Sequence, residues 1–323
     1  MTALSITRAN IDGFDSLQVH TGLIELSMIS DLGGKINSLR DARTGREWLW
    51  RHPRLPYKRT PHGSSFVAEA DTGGWDECFP SVSACEYPSA PWKGAQIQDH
   101  GELWSQAPEV EINEQAEHAA IRTRWQGVSL PYTFTRTLNL TANSSCMRVE
   151  YAFLNNGDQP INFVWCIHPL LAIEPGMELR LPAAARFNLA GTQPPNMLSQ
   201  ESNISFPFSV PALSLPILPS EDAGVAVKIW SDSLPQGEGW AALAASDGEL
   251  RMRWDVEFLP QAAVWMNFGA WAGDGGAPYY NLGLEPCIGA QDSLADAVTQ
   301  FNKFASIPPF GKTTWWLEIE LSV

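Results

Sequence analysis

The sequence predicts an all-β protein built from antiparallel sheets. Three observations carry that reading. Apolar residues recur mostly with a period of two rather than 3.6. The 25 Gly and 24 Pro are spread as punctuation between those runs. Amphipathic helical stretches are scarce, and no βαβ alternation suggests a doubly wound parallel sheet. A chain of 323 residues without a fixed repeat or a shift in composition is expected to form a single domain over 1–323.

The strand candidates follow in chain order. Leu23 to Ile29 comes first, then Val110 to Ile112 and Ala119 to Trp125. Tyr132 to Leu140 alternates almost without break, with Arg136 alone on its apolar face. Arg148 to Phe153 alternates as well, and Ile161 to Ile167 is nearly continuous apolar sequence. Val225 to Trp230, Leu250 to Val256 and Ala263 to Phe268 follow. Trp315 to Leu321 closes the series, with Glu318 and Glu320 facing out. Each is rich in β-branched or aromatic residues and bounded by Gly, Pro, Asn or Asp. The Pro- and Ser-rich segment Thr192 to Pro219 reads as a surface excursion within the domain. The best helix is short, Ser293 to Phe301, with Asp292 as its cap candidate.

Charge narrows the partners. Lys plus Arg is 21 and Asp plus Glu is 36, a net charge of −15. Nucleic acid and anionic membrane surfaces both require basic surface, so neither partner is expected. No apolar run approaches the roughly 20 residues that a membrane helix needs. The first residues lack the basic start and apolar stretch of a secretory signal. Five Cys, an odd number without a CxxC pair, read as free thiols in a reducing compartment, so a cytoplasmic protein is expected.

The 14 Trp have two uses: filling a sandwich core, or stacking on the C–H faces of sugars. No phosphate-binding glycine loop, HExxH or GxSxG signature is present. The six His lack metal-ligand spacing, and the three candidate ligands in Asp99-His100-Gly101-Glu102 are neighbours of a kind that rarely converge on one ion, which leaves a metal site unsupported. No metal or cofactor is expected.

Four segments place polar groups in apolar or glycine-rich surroundings. Gly73-Gly74-Trp75-Asp76-Glu77-Cys78-Phe79-Pro80 sets a Trp beside two carboxylates. Asp99-His100-Gly101-Glu102-Leu103-Trp104 joins a His to a Gly, where backbone can approach a ligand. Phe163-Val164-Trp165-Cys166-Ile167-His168-Pro169 ends an apolar strand on a His. Asn281-Leu282-Gly283-Leu284-Glu285-Pro286-Cys287 sets a carboxylate in an apolar run, where it needs a partner or a raised pKa. Such a carboxylate is a candidate general base. Each segment alone also reads as a structural turn or a hydrogen-bonded core residue. Together they offer one carboxylate and two His at strand ends that could line one mouth.

The order of these motifs resembles the aldose 1-epimerase (galactose mutarotase-like) family. Gly33-Gly34-Lys35-Ile36-Asn37-Ser38-Leu39-Arg40 and Thr44-Gly45-Arg46-Glu47-Trp48-Leu49-Trp50 match its first strands, and the segments above follow in family order. The resemblance implies a large antiparallel β-supersandwich with an open carbohydrate cleft. It implies interconversion of the α and β anomers of a free aldose, without cofactor or metal. Carried over by position, Glu285 is the general base, His168 the general acid and His100 a second His that holds the sugar. Trp75, Asp76 and Trp104 are assigned to substrate contact. The sequence departs from the family pattern at Leu170-Leu171 after Pro169, at Glu102 after Gly101, and in lacking a sugar-contacting Asn-Arg-Ile segment. Arg122, Arg124 and Arg136 are the candidates for a sugar-phosphate pocket, although the acidic balance favours a neutral sugar. The alternatives are a glycoside hydrolase or lyase using Glu285 with Asp76 or Glu77, and a non-catalytic sugar-binding protein.

Overall fold

The computed structural model describes residues 4–195, 203–210 and 213–323. Two antiparallel sheets dominate. The larger has eleven strands, ordered in space as Ser5–Ile11, Phe14–His20, Ile24–Ile29, Lys35–Asp41, Gly74–Cys78, Trp165–Ala172, Tyr280–Ile288, Gln261–Phe268, Val225–Ser231, Arg186–Gln193 and Ile204–Ser205. The smaller has eight: Glu178–Arg180, Trp240–Ala245, Gly248–Trp254, Lys312–Ser322, Cys146–Asn155, Tyr132–Thr141, His118–Gln126 and Glu109–Glu114.

The chain leaves and re-enters the large sheet, so its central strands come from distant parts of the sequence. Gly74–Cys78 pairs with Trp165–Ala172, which pairs with Tyr280–Ile288. In register, Asp76 lies opposite His168, while Cys166 lies opposite both Cys78 and Cys287.

One hydrophobic core fills the space between the two sheets. Trp165 meets Tyr151 and Trp315 across it, with ring centroids 4.7 and 5.2 Å apart. Period-two alternation sets the rest. In Gly74–Cys78, Trp75 and Glu77 point into this core, whereas Asp76 and Cys78 point to the other face of the large sheet. Trp75 is completely buried within the core cluster. It therefore takes the core use of tryptophan and presents no ring to a ligand.

The charged residue foreseen on the apolar face of its strand is equally buried. Arg136 reaches across to Glu77 at 3.1 Å, and Tyr151 donates to the same carboxylate oxygen at 3.0 Å. Arg136 and Glu77 thus form an ion pair between the sheets, lying under the Trp125 ring at 5.5 Å.

Two differences from the sequence reading have a visible cause. The apolar run 161–167 is split into Ile161–Phe163 and Trp165–Ala172, because Val164 donates to the Pro80 carbonyl and leaves the ladder. The short helix is Leu294–Asp296, continued by one wide turn at Ala297–Phe301. Ser293 caps it, while Asp292 instead binds Lys228 at 2.6 Å. Part of the excursion at 192–219 lies outside the described residues; within the rest, Ile204–Ser205 adds a strand to the large sheet.

Candidate active site

The site lies on the face of the large sheet turned away from the core. Strand Tyr280–Ile288 presents Asn281, Gly283, Glu285 and Cys287 on that face, and the neighbouring Trp165–Ala172 presents Cys166, His168 and Leu170. Lys228 comes from Val225–Ser231 and Trp265 from Gln261–Phe268. Of these, Asn281, Glu285, His168, Leu170, Lys228 and Trp265 line a cleft of about 230 Å³.

Its floor is a coupled pair. His168 Nδ1 and Glu285 Oε1 are 2.7 Å apart. Glu285 is buried, and Lys228 Nζ stands 3.7 Å from its other oxygen, which has no hydrogen-bond partner. Burial alone would raise the Glu285 carboxyl; the Lys228 charge and the His168 hydrogen bond and charge outweigh it and bring it down to about 2. Burial pulls the His168 imidazole down, but the Glu285 hydrogen bond and charge carry it above its ordinary value. The contact thus favours the carboxylate of Glu285 and the protonated form of His168. Gly283 makes room for this arrangement, since a Cβ there would lie 3.1 Å from Glu285 Oε1.

His100 joins them from a tight turn. It has φ 58° and is followed by Gly101 at φ 70°, where a Cβ would meet the Phe79 carbonyl at 2.0 Å. Only glycine fits there. The turn aims His100 at His168, with ring centroids 4.9 Å apart. Asp99 Oδ1 holds His100 Nδ1 at 2.7 Å. Phe66, in the short helix Phe66–Glu69, stacks on the His100 ring at 4.2 Å and meets His168 edge-on at 5.8 Å.

Glu285, His168 and His100, three residues singled out from sequence, therefore line one cleft. The other three are placed elsewhere. Trp75 is in the core. Asp76 shares the site's face but is buried in an ion pair with Lys35, in a small cavity beside the cleft. Trp104 lines that same small cavity, with its ring nitrogen donating to the Asp99 carbonyl at 2.9 Å. Among the proposed phosphate-binding arginines, Arg136 is in the core. Arg122 and Arg124 are exposed on the smaller sheet and face Glu111 and Glu109. No basic pocket forms from them. Glu102 does not turn toward His100 either; it accepts from Tyr132 Oη at 2.6 Å and from the Val128 and Ser129 amides.

Sequence reading missed four features of the cleft. Its aromatic wall is Trp265, Trp271 and Tyr279, with Trp271 perpendicular to both neighbours at 5.6 and 5.5 Å. Lys228 is the lone charge in an apolar strand, a signal comparable to Arg136. Asn281 is buried and lines the cleft with both amide atoms unpartnered. Asp71 is buried, lines the cleft, and has one carboxylate oxygen without a partner; burial raises its pKa despite the nearby His168, Lys35 and His100 charges. Only loop position marks Asp71 in the sequence.

Larger grooves of about 520 and 540 Å³ lie elsewhere on the surface. The first is lined by Arg148 and Trp316, but Arg148 covers the Trp316 ring at 4.4 Å and pairs with Glu318. The 230 Å³ cleft, by contrast, holds the adjoining carboxylate and imidazoles.

Similarity to solved structures agrees with this architecture. A candidate aldose 1-epimerase from Klebsiella pneumoniae superimposes with a TM-score of 0.72 at 14% identity, over 100% of this chain and 84% of that one. A galactose mutarotase-like protein from Lactobacillus casei gives 0.64 at 15% identity, over 95% and 99%. Another from Clostridium acetobutylicum gives 0.65 at 13%, over 99% of each chain. The chain has the galactose mutarotase-like fold. No family model matches the sequence, and no curated protein matches it. At these identities the likeness extends to the fold alone. No helix among the described residues is long and apolar enough to cross a membrane.

Proposed function

We propose that the protein is an aldose 1-epimerase-like isomerase that equilibrates the anomers of a neutral sugar in the Glu285–His168 cleft. The observation that carries this reading is the geometry of the pair. The Glu285 carboxyl and the His168 imidazole stand 2.7 Å apart in one cleft, the pKa of the first held low and that of the second raised above its ordinary value, next to the aromatic wall of Trp265, Trp271 and Tyr279.

Ring opening needs two proton transfers, and closure reverses both. The Glu285 carboxylate takes the proton of the anomeric hydroxyl. The His168 imidazolium gives its proton to the ring oxygen, and the C1–O5 bond opens. Rotation about C1–C2 presents the other face of the aldehyde. The ring oxygen then returns its proton to His168 while the new hydroxyl recovers one from Glu285. His100, Asn281 and Asp71 offer hydrogen bonds to the remaining hydroxyls. Trp265 and Trp271 offer apolar faces to the C–H side of the ring. The lack of a basic cluster in the cleft, where Lys228 already serves Glu285 and Asp292, favours a sugar without phosphate.

Saturation-transfer NMR between anomeric protons, run over a panel of aldoses, tests this. At least one aldose should exchange faster with the wild-type protein. Glu285→Gln should slow that exchange by about 100- to 10,000-fold without loss of fold. Full activity in Glu285→Gln would remove Glu285 as the base.

Asp71 favours a second reading, glycoside hydrolysis. It brings a second buried carboxyl, kept toward its protonated form, into the cleft of Glu285. Asp76 and Glu77 do not serve, since one is neutralised by Lys35 and the other faces the core. Release of nitrophenol from nitrophenyl glycosides, abolished by Asp71→Asn, would favour this second chemistry.

A further inference from the structure

Two histidines of the cleft and the buried thiol of Cys78 make a donor set that acid–base chemistry does not require. Cys78, His100 and His168 each offer one ligand atom, and the three atoms lie within 4.8 Å of one another. Cys78 is on the site's face of Gly74–Cys78, next to Cys166 on the adjoining strand. Its thiol has no assigned part in ring opening.

The surroundings of both histidines point to a cation. His100 Nδ1 is held by Asp99 and His168 Nδ1 by Glu285, each at 2.7 Å. A carboxylate on one ring nitrogen fixes the ring and raises the basicity of the other, the outer-shell pattern typical of metal-bound histidines. Here it occurs twice around one thiol. Both histidines also line the open cleft, so a coordination position remains for water or a hydroxyl. Asp99 and Glu285 add negative charge, while Lys35 and Lys228 are already paired with Asp76 and Asp292.

We propose that Cys78, His100 and His168 form a three-ligand site for a zinc-class divalent cation on the floor of the cleft. One sulfur and two imidazoles suit zinc or cobalt, with metal–sulfur and metal–nitrogen distances of about 2.3 and 2.0 Å. Those distances put ligand atoms about 3.5 Å apart in a tetrahedron, so the site contracts by about an ångström on binding. The thiol proton, and the proton on the ring nitrogen of His168 that turns to the metal, leave to solvent as the metal bonds form, and the aqua ion sheds water in exchange. Binding therefore strengthens as pH rises. With His168 ligated, its proton is no longer available to a sugar, so the metal-loaded protein is closed to anomer exchange. That last consequence rests on the epimerase reading; the binding itself does not.

Cobalt(II) titration of metal-stripped protein tests the site. The wild type should bind one equivalent and develop a thiolate-to-cobalt charge-transfer band with intense tetrahedral visible bands. Cys78→Ala should lose the charge-transfer band. Asp99→Asn, which keeps all three ligands, should bind about 10- to 100-fold more weakly. Zinc should displace the cobalt and, at the concentration that does so, stop anomer exchange in the wild type. A wild type without the charge-transfer band, or a Cys78→Ala variant that is folded by thermal melt and keeps it, overturns the proposal. Metal binding with no sugar exchange at any zinc level supports the site and removes the epimerase reading instead.

Discussion

His168 Nδ1 lies 2.7 Å from Glu285 Oε1, although 117 residues separate them in the chain. The contact exists because Trp165–Ala172 and Tyr280–Ile288 are adjacent antiparallel strands, with both side chains on the same face. It sets the protonation of each partner, and so predicts the pH dependence of any reaction that uses both.

Activity should require ionised Glu285 and protonated His168. Glu285 is brought down to about 2, so kcat/KM should show no acid limb until the fold itself yields. The His168 value is raised above 6.5, so the alkaline limb should lie above that pH. The linkage to stability has the matching sign. The His168 contribution is present below about pH 6.5 and is lost as pH rises through its folded value. A pH–rate profile with anomeric saturation transfer checks this; a descending limb centred below 6.5 would contradict it.

Lys228 is the first-ranked charge holding Glu285 down. Lys228→Met should release the carboxyl upward and bring an acid limb into the measurable range. The alkaline limb should remain. A variant with an unchanged profile would show that Lys228 does not tune the base.

The two tryptophan environments should separate stability from affinity. Trp265→Ala, in the cleft wall, should weaken sugar binding by about fivefold, near 1 kcal/mol. Trp75→Ala, in the core, should lower the unfolding free energy by about 3–5 kcal/mol. Binding by the folded fraction of Trp75→Ala should stay near wild type. Calorimetric titration and urea unfolding distinguish the two.

The Arg136–Glu77 pair offers a fourth test. Arg136→Met should cost about 3–5 kcal/mol, since it strands a buried carboxylate. Replacing both residues with apolar side chains should recover most of that loss. Burial holds the Glu77 carboxyl up at about 7 against the pull of Arg136. Between pH 4.5 and 7 the folded chain therefore binds a proton that the unfolded chain has released. The stability of wild type relative to Glu77→Gln should fall as pH rises through that window. Unfolding curves at several pH values report it.

The sequence by itself determined the all-β class and the alternating strands such as Tyr132–Thr141 and Lys312–Ser322, because a period of two is a local property that each segment carries alone; it left strands without that alternation, such as Tyr280–Ile288, unmarked. It marked Arg136 as an odd charge on an apolar face, and Glu285, His168 and His100 as polar groups in settings that demand partners. Tertiary structure decided what those partners are. Asp76 and Glu77 are neighbours in the chain, yet one joins Lys35 on the site's face and the other joins Arg136 in the core. The same alternation sent Trp75 inward and left the sugar-facing wall to Trp265, Trp271 and Tyr279. A strand's pattern shows that its two faces differ, but not which face meets the second sheet. That is settled only when strands distant in sequence align and one side becomes dry.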